Sequence, residues 1–138
     1  MREPYTQLHV HLVWSTWDRL PTLTGAARQA AYACIKSDCI ELKVEMLAIG
    51  GTADHVHVLA RIPSTVCVAD LVKQIKGASS HLLSHTIPDM DGFRWQGGYG
   101  AFTVSKALAP KVREYIQHQE EHHRDGTTHR DHEVAWDA

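Results

Sequence analysis

The stretch Asp54-His55-Val56-His57-Val58-Leu59 constrains this chain more than any other. Its alternation is that of a β-strand, in which residues two apart share a face. His55 and His57 then project side by side, while Val56 and Val58 project together into the opposite layer. Two imidazoles on a rigid strand make a plausible half of a divalent-metal site, and a third ligand must come from elsewhere. The best candidate lies on Tyr115-Ile116-Gln117-His118-Gln119, where Tyr115 and Gln119 sit four apart on one helix face. A metal held by His55, His57 and Gln119, with the Tyr115 hydroxyl beside it, is a site for attacking phosphodiesters.

The rest of the chain supplies a scaffold for that strand. Leu8, Val10, Leu12 and Trp14 alternate with His9, His11 and Val13, a strand of roughly residues 6 to 16. His9 and His11 form a second His-x-His pair that competes with the first for the metal; they either hydrogen-bond to neighbours on a polar sheet face, or support the first pair or touch substrate. Thr24 is placed to cap a helix with an Ala27, Ala30, Ala31, Cys34 and Ile35 stripe. Val44, Met46 and Ala48 begin a second strand, and Gly50-Gly51-Thr52-Ala53-Asp54 turns it into the histidine strand. From Cys67 to His85 the 3.6-residue spacing of Val68, Leu71, Val72, Ile75, Leu82 and Leu83 predicts a long helix. Lys73, Lys76 and Ser80 fall off its apolar stripe and are candidate DNA contacts. Arg94 and Trp95 lie in the Gly- and Pro-containing loop that follows, where an aromatic beside an arginine can stack on an unpaired base or cap the core. Tyr99 to Ser105 is a last strand, and Pro110 suits the first turn of a final helix running to His122-His123.

The order strand, helix, strand, strand, helix, strand, helix predicts a ferredoxin-like split βαβ sandwich of the α+β class. Its antiparallel sheet carries two helices on one face, and an extra C-terminal helix follows. The other face is expected to stay open, carrying the histidines. A chain of 138 residues fits one domain, here residues 1–123 with a polar acidic tail at 124–138. No apolar run reaches the ~20 residues of a membrane span. Three widely spaced cysteines without a CxxC pattern suggest reduced thiols and a cytoplasmic setting. The net charge of −2 hides an asymmetry: residues 120–138 hold two Arg against six acids, and residues 61–113 hold seven Lys/Arg against three Asp. A basic body of this kind can grip a phosphate backbone locally.

Taken in order, these segments resemble the single-tyrosine HUH transposases of the insertion-sequence-200/605 type, HUH denoting His-hydrophobic-His. The resemblance spans nearly the whole chain. It includes His11-Leu12-Val13-Trp14-Ser15-Thr16, Ala53 to Leu59, Lys76-Gly77-Ala78-Ser79-Ser80 and Tyr115-Ile116-x-x-Gln119. Trp95 to Tyr99 and Gln119 to His123 are similar to the branch associated with repeated extragenic palindromes, the REP-associated tyrosine transposases. The resemblance implies a homodimer that binds single-stranded DNA hairpins at the ends of a mobile element. It also implies Mg²⁺ or Mn²⁺ on His55, His57 and Gln119, and Tyr115 as nucleophile, leaving a 5′-phosphotyrosine. Two other readings of the same residues remain: a metal-dependent nuclease that activates water, and a non-catalytic single-stranded nucleic-acid-binding module.

Overall fold

A computed structural model of the chain describes residues 4–126. Four strands, β1 (Leu8–Ser15), β2 (Glu45–Gly51), β3 (His55–Ile62) and β4 (Gly100–Val104), form one antiparallel sheet in the order β2-β3-β1-β4. Helices α1 (Gly25–Glu41) and α2 (Val68–Thr86) pack together on one face. This is the ferredoxin-like sandwich expected from the sequence. Pairing of β1 with β3 brings both His-x-His pairs into the centre of the sheet.

Alternation decides the layers. Val10, Leu12 and Trp14 of β1 and Val56, Val58 and Ala60 of β3 join Ala31, Ile35, Leu71 and Ile75 in the main core. Their neighbours His9, His11, His55, His57 and Leu59 therefore lie on the opposite face. That face is not open. Helix α3 (Ala109–Gln117) folds back across it, and Ala109, Val112 and Ile116 bury Ala48 and Leu59 beneath a second, smaller core. Leu59 explains the cover: on the histidine face it leaves apolar area that a helix can remove from water.

Several boundaries differ from the sequence reading. Gly50 and Gly51 continue β2, paired with His57 and Val56, rather than starting the turn. A Cβ on Gly50 would lie 2.1 Å from the Ile116 carbonyl oxygen, so the glycine is where α3 meets the sheet. The final helix is not continuous. It breaks at His118 (φ −119°, ψ 33°), and a short helix, α4 (Gln119–Asp125), follows before Gly126 in the left-handed region. Thr24 occupies the N-cap of α1 without a side-chain capping bond. Gly77 has nothing within 4 Å of a would-be Cβ, so among the described residues no other segment's backbone approaches it. Beyond residue 126 the expected tail, with His129 and His132, lies outside the described residues.

Candidate active site

β3 positions His55 and His57, and the elements around it fix their rings. The His55 Nδ1 lies 2.8 Å from Asp54 Oδ1 and 2.9 Å from Thr52 Oγ1, and the Thr52 hydroxyl is also 3.0 Å from Asp54 Oδ1. Arg19 Nε stands 3.5 Å from the other Asp54 oxygen. The hydrogen bond from His55, aided by the Arg19 charge, holds the Asp54 carboxyl well below the usual carboxylate range against the opposing cost of burial. Asp54 is thus an anion whose partner is the His55 ring, and this pairing places the imidazole proton on Nδ1. On the neighbouring strand His11 Nε2 lies 2.8 Å from His57 Nδ1. Register explains the pair: Val13 opposes His57 and Leu59 opposes His11, so the two histidines are diagonal neighbours. With Nδ1 so engaged, coordination by His57 would fall to Nε2.

Helix α3 brings Tyr115 to these rings, and Gln119 reaches them from just beyond the break at His118. Gln119 Oε1 is 3.2 Å from His55 Nε2 and 3.2 Å from His123 Nε2, while its amide nitrogen is 3.4 Å from the Tyr115 carbonyl oxygen. The Tyr115 ring meets His57 edge-on at 6.1 Å between centroids and lies 4.6 Å from His122. His55 and His57 centroids are 5.0 Å apart. The four residues read from sequence as a site therefore converge on one buried locus, with Tyr115 4% exposed and Gln119 1%. Among the described residues no three His, Cys, Asp or Glu side chains gather to hold a metal. A third protein ligand would be the Gln119 amide oxygen. Sequence reasoning missed Asp54, Thr52, Arg19 and His123. Only Asp54, adjacent to His55, carried a signal in the sequence.

The expected DNA contacts have a different placement. Lys76 Nζ donates to the carbonyls of Gln96 and Gly98, each at 2.8 Å, and burial lowers its pKa. Ser80 donates to the Phe93 carbonyl at 3.2 Å. Of the two readings of Trp95, stacking on a base or capping the core, the ring takes the second and is not an exposed DNA contact. It is 7% exposed, donates to Ser79 and meets Trp14 edge-on in the core. The reason is common to all three. The segment between α2 and β4 has little backbone pairing of its own, and its carbonyls and one large ring find partners on α2. Lys73 remains exposed, and Arg94 lies over the Trp17 ring at 3.7 Å.

The chain is thus an α+β sandwich with paired histidines at its centre and a tyrosine and glutamine set over them from the last helices. The family model described as "Transposase IS200 like" matches residues 4–119, and the chain belongs to that family. It is 31% identical over 121 residues to the transposases of insertion sequence IS200 from Salmonella typhimurium and Salmonella typhi, covering 84% of this chain and 79% of each relative. It is 26% identical to the ISDra2 transposase TnpA of Deinococcus radiodurans, over 82% of this chain and 84% of that protein. A crystal structure of a transposase-like protein from Deinococcus radiodurans superposes with a TM-score of 0.69 at 25% identity, covering 84% of this chain and 93% of the other. A REP-associated tyrosine transposase bound to a REP hairpin shares the fold, with a TM-score of 0.66 at 14% identity, covering 93% of this chain and 74% of that one.

Proposed function

We propose that this IS200-like transposase cleaves and rejoins single-stranded DNA through Tyr115, with Mg²⁺ or Mn²⁺ held by His55, His57 and Gln119. The observation that carries the reading is the facing pair His55 Nε2 and Gln119 Oε1, 3.2 Å apart and buried. With Nδ1 turned to Asp54, the neutral imidazole of His55 would offer a metal its Nε2 lone pair, and the Gln119 amide oxygen would offer another. An imidazole nitrogen and an amide oxygen 3.2 Å apart are spaced as neighbouring ligands on one small divalent ion, so the donor set fits a metal. A divalent ion there would supply Lewis acidity toward a phosphoryl oxygen and favour the phenolate.

The chain's own residues supply the remainder. Tyr115 Oη gives up its proton and forms a bond to phosphorus. The bond from phosphorus to the 3′-oxygen breaks, that oxygen leaves as a 3′-hydroxyl, and the 5′-phosphate stays on the tyrosine. The ester keeps the energy of the broken linkage, so a 3′-hydroxyl from another strand reverses the step and joins DNA without a nucleotide cofactor. Asp54 and His11 hold the two imidazoles in position. A hairpin substrate is the natural proposal, since a fold neighbour was solved with one bound. We also propose a homodimer, on the family resemblance. This chain's own α3 already seats Tyr115 beside His57, so assembly need not exchange the helix.

The test is a denaturing gel of labelled single strands from the flanks of the protein's own gene, with and without Mn²⁺. Wild type forms a covalent adduct. Tyr115→Phe forms none, cleaves nothing and still binds. His57→Ala also fails, but excess Mn²⁺ restores part of its activity, because a ligand and not the nucleophile is missing. Mixing the two variants restores cleavage only if Tyr115 serves the partner's histidines. Cleavage by Tyr115→Phe at the wild-type rate makes water the nucleophile and this reading wrong.

A further inference from the structure

The loop after β1 builds a second recessed site, linked to the histidine strand through Thr16 and Asp54. Trp17, Leu20, Phe93, Arg94, Asp89 and Asp91 line a cavity of about 160 Å³. Trp17 is 42% exposed and Leu20 50%, unusual for large apolar groups on a loop. The Arg94 guanidinium already lies on the Trp17 ring at 3.7 Å, and the Trp17 amide donates to the Arg94 carbonyl at 3.1 Å. The loop is held in an uncommon shape: Asp18 and Arg19, neither of them glycine, have φ of 54° and 51°. Gln96 Oε1 accepts from the Asp18 amide at 3.2 Å, and the Thr16 hydroxyl donates to the Leu20 carbonyl at 2.7 Å.

This cavity is joined to the candidate catalytic centre. Thr16 N donates to the Asp54 carbonyl at 2.8 Å, and Arg19 pairs with the carboxylate that orients His55. Thr16, which lines the cavity, is thus one backbone hydrogen bond from the residue that precedes His55. The cavity's walls are aromatic and aliphatic, with a stacked guanidinium. Its rim carries two carboxylates, which repel a phosphate and accept from the N–H groups of a base. Flat π-faces stacked on tryptophan and arginine are how single strands are commonly held.

We propose that this cavity is a subsite for one unpaired nucleobase of the DNA strand, stacked against Trp17 and Arg94. The proposal rests on the single-strand reading of the function and adds a base contact that the histidine site does not supply. It also reassigns base stacking from Trp95, buried in the core, to Trp17.

The experiment is an abasic scan. Each nucleotide of a fluorescent single strand from the flank of the protein's gene is replaced in turn by an abasic site. Binding is read by anisotropy for wild type, Trp17→Phe and Trp17→Ala. One position is expected to weaken wild-type binding about tenfold, within the range of a single base–aromatic stack. Trp17→Ala should lose a similar factor on the intact strand and show no further loss at that position. Trp17→Phe should keep most of both. Melting temperature checks the fold of each variant, and the exposure of Trp17 predicts little change. Equal abasic losses in wild type and Trp17→Ala overturn the subsite while leaving the single-strand reading intact. Failure of the wild type to bind any of the strands overturns both.

Discussion

Gly50→Ala puts the placement of Tyr115 to a quantitative test. A Cβ at residue 50 would stand 2.1 Å from the Ile116 carbonyl oxygen and 3.0 Å from its carbon, both backbone atoms. Ordinary contact begins near 3.4 Å, so β2 and α3 must separate by about 1.3 Å. No side chain can rotate aside to relieve this. Overpacking of this kind costs about 1–3 kcal/mol, and at about 4 °C per kcal/mol the midpoint should fall by about 4–12 °C. Tyr115 precedes Ile116, so its ring moves with the strained segment. Misplacement of a reacting group by 1 Å can cost about a hundredfold in rate, and covalent adduct formation should fall on that order. Gly77→Ala is the control: with nothing within 4 Å and a helical backbone, it should raise stability by up to about 1 kcal/mol. The two measurements are thermal melting by circular dichroism and adduct formation on single-stranded DNA. Wild-type melting and wild-type cleavage by Gly50→Ala would refute the seating of α3 on β2, whichever protomer supplies the helix.

Two further outcomes test the packing around the site. Trp95→Ala should lower stability by about 3–5 kcal/mol, since a buried ring and its bond to Ser79 are lost together; a denaturant titration reads this, and unchanged stability with weakened DNA binding would return Trp95 to the DNA. Burial in α1 pushes the Cys39 thiol up to about 11 from its ordinary value of 9.0. The unfolded chain therefore loses that proton first, and stability should fall as pH rises from 9 toward 11. Cys39→Ala should flatten that decline in melts taken across the same range, and an equal slope in the two proteins would contradict it.

What was legible in the sequence was local, and what was not depended on which strands became neighbours. The face of every residue on β3 follows from alternation, so the His55–His57 pair and the opposed Val56–Val58 pair are readable without a structure. The same is true of the Val68–Thr86 helix, whose stripe repeats at 3.6 residues. The cover over the histidine face was not readable. It depends on one glycine, and Gly50 looks like a turn residue until the helix it admits is in place. The break at His118 was also hidden, because Tyr115 to His123 keeps a helical pattern of side chains through it. His11 illustrates the limit most sharply. Its own strand says only that it shares a face with His9. That it meets His57 at 2.8 Å, while His9 lines a cavity with Ala109 and Pro110 at the start of α3, follows from the register in which Val13 opposes His57. A shift of one residue would turn His11 into the opposite layer. The apolar set Val10, Leu12 and Trp14 has to face α1 and α2, and that requirement fixes the register. The core thus determines which histidine supports the site, even though none of its side chains touches the chemistry.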